Sequence, residues 1–137
     1  MKDFVSMGQY VFASVGVFFG WFVGGFDGFV YTLVVFVVID YLTGVMASIL
    51  KKELSSGVGF RGIFKKVVIF CLVAVGHIID TYIIKNGSML RDAVIFFYLS
   101  NEGISILENA GRIGLPIPEK LRSVLEQLRE EKSDDGK

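Results

Sequence analysis

Residues 29–50, FVYTLVVFVVIDYLTGVMASIL, carry one charge, Asp40, in a run that is otherwise apolar on every side of a helix drawn through it. At 1.5 Å rise per residue the run is about 33 Å long, enough to cross the hydrocarbon core of a bilayer. A soluble helix would confine its apolar side chains to one stripe. Three more segments extend the pattern: residues 4–26, 67–84 and 89–109. The last is the weakest, because it holds Arg91, Asp92, Asn101 and Glu102. Of the 137 residues 53% are hydrophobic, with 13 Phe and 16 Gly, and the mean hydropathy is +0.59. These observations predict an all-α integral membrane protein. The expected architecture is an antiparallel bundle of four transmembrane helices, or three if the first does not fully span. A short amphipathic cytoplasmic helix follows. Residues 1–112 form the transmembrane part, and 113–137 a cytoplasmic helix and disordered tail.

Orientation is read from the basic residues. The expected loop 51–66 holds Lys51, Lys52, Arg61, Lys65 and Lys66 against Glu53 alone, and the tail adds Arg112, Lys120, Arg122 and Arg129. The opposite side has only Asp27 in one turn and Lys85 in the other. The positive-inside rule then places loop and tail in the bacterial cytoplasm, and four spans bring the N-terminus there too. Lys2 ahead of an apolar run resembles the start of a signal peptide, but no small-x-small site closes it. In the tail, Leu121, Val124, Leu125 and Leu128 fall at helical spacing after Pro118, and Ser133 to Lys137 is expected to be disordered.

Several polar or small residues are out of place in lipid. Gly16, Gly20 and Gly24 recur at a spacing of four and would form a groove that a second helix backbone could approach, within one chain or between two. Gly44 belongs to a similar small-residue face of the second segment, beside Asp40 and Thr43. In the third segment His77, Asp80 and Thr81 share a face. In the fourth, Asn101, Glu102, Ser105 and Asn109 lie within one arc that also takes in Arg91, Tyr98, Glu108 and Arg112. A carboxylate at mid-bilayer costs about 2.5–3.5 kcal/mol on insertion scales. Two explanations stay open. The stripes form a satisfied network, with Asp40 or Glu102 accepting from Asn101, Thr43 or His77, or they line water in a pore or an oligomer seam. Catalysis has little support: one His, one Cys (Cys71, within an apolar run), no metal-ligand cluster and no phosphate-binding loop. No cofactor is expected, and a net charge of zero gives no reason to expect nucleic acid.

A set of ordered motifs goes further. They are Asp40-Tyr41-Leu42-Thr43-Gly44, Lys51-Lys52-Glu53-Leu54-Ser55-Ser56 leading to Gly62-Ile63-Phe64-Lys65-Lys66, Asp80, the run Asn101 to Asn109, and Gly114-Leu115-Pro116-Ile117-Pro118. In these the chain resembles the toxin-secretion and phage-lysis holin family. The resemblance covers roughly Val38 to Glu130 and implies a non-enzymatic protein of the cytoplasmic membrane. Such proteins oligomerise into lesions that let an endolysin, or in some relatives a large toxin, cross. It transfers no catalytic residue. Competing readings are a small four-helix transporter using a mid-membrane carboxylate, and a non-transporting membrane scaffold.

Overall fold

A computed structural model describes residues 2–135, and among them all regular structure is helical. The helices are α1 (Lys2–Phe22), α2 (Gly28–Leu50), α3 (Ser56–Ile78), α4 (Met89–Ile113) and α5 (Glu119–Asp135), with α3 prolonged by a π-helical stretch, Ile79–Ile84. Three of these are long and apolar enough to cross a membrane: Lys2–Phe22, Gly28–Leu50 and the continuous Ser56–Ile84. The charges of α4 leave it outside that class.

Helix boundaries follow from local capping. α1 stops at Phe22 because Gly24 and Gly25 adopt φ of 87° and 115°. In that conformation the Gly25 N–H reaches the Gly20 carbonyl and the Gly24 N–H reaches that of Trp21, occupying carbonyls the helix end would leave free. The connection to α2 is therefore residues 23–27, longer than the expected Asp27-Gly28 turn. Gly24 lies beyond the helix, so the three-glycine face expected on the first segment ends at Gly20. Asp27 caps α2, its side chain accepting from the Val30 N–H at 3.0 Å.

The expected loop 51–66 is the main correction. Ser55 accepts from the Val58 N–H and starts α3 at Ser56, which leaves only residues 51–55 between helices. Arg61, Lys65 and Lys66 are thus helical. Arg61 and Lys65 stay exposed, whereas Lys66 turns inward to a partner. At the far end, α4 runs past residue 109 to Ile113 and closes on Gly114 at φ 106°. α5 extends through Ser133 to Asp135, which were expected to be disordered; Gly136 and Lys137 lie outside the described residues.

The apolar core joins Val30, Leu33 and Val37 of α2 to Ile69 and Val73 of α3 and Ile95 and Leu99 of α4, with Val23 closing one end. α2 and α4 make the most extensive helix contact. α1 has no buried residue and meets the rest through its last turn, where the Phe19 ring sits edge-on to Phe70 at 5.3 Å. α5 folds back along α4 and buries Leu125 against Gly103, while Leu121 and Val124 of its expected apolar stripe remain exposed. In lipid, apolar burial drives helix association weakly, because the surroundings are as apolar as the core. Close packing and polar contacts then decide which helices stay together.

Candidate functional site

Two polar clusters tie the helices, one at each end of the core. The first gathers Asp40 of α2, Lys66 of α3 and Glu102 of α4. The Lys66 ammonium donates to Asp40 Oδ2 at 2.6 Å and to Glu102 Oε2 at 2.8 Å. Both carboxylates are buried, and the lysine side chain is 16% exposed. Asn109, two turns further along the same face of α4, donates through Nδ2 to Asp40 Oδ1 at 3.0 Å, to the Asp40 carbonyl at 3.2 Å and to Thr43 Oγ1 at 3.0 Å. Gly44 lies against this amide: a Cβ there would stand 3.5 Å from it, an ordinary van der Waals contact. One cation between two carboxylates supplies the compensation that buried charges require. Among the described residues no buried side-chain polar atom is left without a partner.

The second cluster centres on Arg91, which is 3% exposed. Its Nε donates to the Val23 carbonyl at 2.6 Å and Nη2 to that of Gly25 at 2.7 Å. Nη1 reaches Asp27 Oδ2 at 2.8 Å and Asp92 Oδ1 at 3.2 Å. Partial burial works to raise the Asp27 carboxyl. The Arg91 hydrogen bond and charge, with the Val30 amide, outweigh it and hold the group below the ordinary carboxylate value. Asp80, in the π-helical turn, accepts from the backbone N–H groups of Leu90 and Arg91 at 3.1 and 2.9 Å. It therefore caps α4 from a neighbouring helix, where an anion is favoured by the helix dipole. Gly24 and Gly76 let the backbones close up: a Cβ on Gly24 would collide with His77 and Arg91, and one on Gly76 would stand 3.0 Å from the Arg91 backbone.

The sequence-expected residues thus divide. Asp40, Thr43, Gly44, Glu102 and Asn109 meet in the first cluster, with Ser105 lining the clefts on both sides of it. Asp80 and His77 belong to the second, where Thr81 Oγ1 lies 3.4 Å from His77 Nδ1. His77 is therefore no partner of Asp40, and Asn101 lines an adjoining groove without joining the hydrogen bonds. Gly16 faces open space and Gly20 meets only Phe26 of its own connection. Sequence reasoning missed Lys66 as a partner, counting it as loop charge, and missed Arg91 and Asp27 as a pair. Two buried carboxylates with no assigned cation were the available signal for Lys66.

This arrangement holds helices together, and among the described residues no group of His, Cys, Asp and Glu could hold a metal. The model of the bacteriophage holin family fits residues 17–130. The chain belongs to the bacteriophage holin family. Among its relatives is an uncharacterized 14.9 kDa protein of Clostridium perfringens, 41% identical over 132 residues, covering 96% of this chain and 100% of that one. An uncharacterized Listeria monocytogenes protein is 50% identical over 110 residues, 80% of this chain and 78% of its own. The "Probable holin" of Bacillus phage phi105 is 42% identical over 81 residues, 59% of each chain. No solved structure matches. Membership in the holin family implies a membrane-inserted, oligomerising protein, and holins are generally not enzymes.

Proposed function

We propose that the protein acts as a holin, accumulating in the bacterial cytoplasmic membrane and assembling into lesions through which a cytoplasmic endolysin, or a large toxin, leaves the cell. The observation that carries this reading is the Asp40–Lys66–Glu102 cluster, a charged network closed within one chain and placed between membrane-length helices. A closed network lets a single copy rest in lipid. The same groups can re-pair between copies or take on water when copies assemble, which gives a lesion its polar wall. In this reading α1 to α4 all cross, α4 with its polar face turned to α2 and α3. The 51–55 loop, the C-terminal helix and the N-terminus lie in the cytoplasm, and the face with Asn101, Glu102 and Ser105 lines the lesion or the seam.

The test is inducible expression of the full chain in a bacterium with a potential-sensitive dye. Abrupt, complete depolarisation followed by release of a co-expressed cytoplasmic endolysin is expected. Gradual growth inhibition with an intact potential would refute the reading, and drug export without depolarisation would favour a transporter. Asn101→Leu with Glu102→Leu should shift the onset of lysis at equal membrane accumulation.

A further inference from the structure

Beside the first cluster, a cavity of about 790 Å³ opens sideways between α3 and α4. Its α3 wall interleaves cationic and apolar side chains. Arg61 and Lys65, four apart and on one face, stand at the end nearer the 51–55 loop. Both are exposed, and among the described residues neither side chain has a hydrogen bond or ion pair. Phe64, between the two cations, and Val68, beyond Lys65, are 66% and 52% exposed. From α4, Tyr98 and Asn101 face across with a hydroxyl and an amide. At the floor, Asp40 and Glu102 are each engaged by Lys66, so the groove holds three cations against two carboxylates.

We propose that this groove binds the headgroup of an anionic phospholipid, with its phosphate on Arg61 and Lys65 and its acyl chains along Phe64 and Val68. Two free cations toward the loop end, with Phe64 between them and Val68 deeper along α3, put charge and apolar surface side by side, as a phosphate and its acyl chains require. Tyr98 and Asn101 offer donors to the remaining phosphate or glycerol oxygens. A basic pocket between membrane helices at headgroup depth is where an anionic lipid gains both Coulomb attraction and apolar contact. A soluble anion would gain only the first, since half of the wall is apolar. Lys51 and Lys52 are cationic too, but they sit on the loop and do not line this groove. The proposal rests on the membrane reading above only in that these helices lie in a bilayer; lysis plays no part in it.

The experiment is native mass spectrometry of the full chain released from micelles doped with phosphatidylglycerol or phosphatidylcholine, with inorganic phosphate as a third arm. Retention of phosphatidylglycerol adducts at concentrations where phosphatidylcholine adducts are lost is expected. Arg61→Gln with Lys65→Gln should weaken them roughly 30-fold, Lys65→Gln alone should lose part of this, and Lys51→Gln with Lys52→Gln should change nothing. Far-UV circular dichroism checks that each variant is folded. Equal loss in the two double variants would mean diffuse surface charge and would overturn the site. So would undiminished binding after Arg61→Gln with Lys65→Gln, or binding of inorganic phosphate with the same residue dependence. None of these readouts depends on lysis, so a failed lysis assay and a failed lipid site are distinguishable.

Discussion

Replacing Lys66 by Met isolates what the first cluster contributes. The variant keeps most of the side-chain volume but deletes two charge-assisted hydrogen bonds, at 2.6 and 2.8 Å. Each is worth about 1.5–3 kcal/mol, and removing one partner of a buried ion pair costs about 3–5 kcal/mol. Asp40 and Glu102 would then share one site with no cation. The expected net cost is about 3 kcal/mol. Equilibrium unfolding of the full chain in mixed micelles, titrated with a denaturing detergent and followed by helical circular dichroism, measures it. The all-neutral variant Asp40→Asn, Lys66→Met, Glu102→Gln should recover to within about 1.5 kcal/mol of wild type, because no charge is left uncompensated. Lys65→Met, on the exposed neighbour, should change stability by less than about 0.5 kcal/mol. A cost for Lys66→Met below about 1 kcal/mol, or strict additivity across the three sites, would refute the account of a coupled network.

Three further outcomes are expected. Gly24→Ala should destabilise by at least about 2 kcal/mol, combining left-handed backbone strain with the collision against His77 and Arg91, whereas Gly28→Ala, which meets open space, should be near neutral; equal melting curves for the two would contradict this. Asp27, held below its ordinary value of 3.8, contributes stability that is complete above that value and lost as pH falls through the lowered one. Melting temperatures from pH 6 to pH 2 should therefore fall less steeply for Asp27→Asn than for wild type, and parallel acid limbs would argue against the Arg91 pairing. Gly16→Leu, on the open side of α1, should leave monomer stability unaltered yet shift the distribution of crosslinked oligomers; an unchanged distribution would remove α1 from the contact between copies.

The parts of this fold that were legible in the sequence are those set by local runs. The apolar stretch of α2 needs no partner to be read, and Gly114 with the following prolines marks the end of α4 without knowledge of the bundle. The misreadings concern residues whose meaning is settled at a distance. Lys66 beside Lys65 looks like solvated loop charge, and only partners 26 and 36 positions away turn it inward. Gly24 keeps the four-residue spacing of Gly16 and Gly20, but backbone conformation ends the helix before it. Asn101 and Asn109 share one arc of α4; eight residues of separation along the axis put Asn109 beside Asp40 and leave Asn101 in the groove. His77 and Asp80 share a face in the sequence, but that Asp80 accepts from the Leu90 and Arg91 N–H groups depends on α4 packing across it. Sequence periodicity finds faces; it does not say at what depth two faces meet.

Leu125 rests on Gly103, about 15 Å inside the C-terminal end of α4 at 1.5 Å per residue. The helix that carries it also carries Lys120, Arg122 and Glu126, all exposed. Such a helix cannot accompany α4 into hydrocarbon without stripping water from those charges. Docking of α5 and deep insertion of α4 therefore exclude each other, and exclusion of this kind is thermodynamic linkage. Whatever holds α5 away from Gly103, a cytosolic binder or a charged membrane surface, draws α4 deeper by the same free energy. In the proposed arrangement, with α4 crossing and α5 in the cytoplasm, α5 thereby acquires an allosteric hold on the depth of α4.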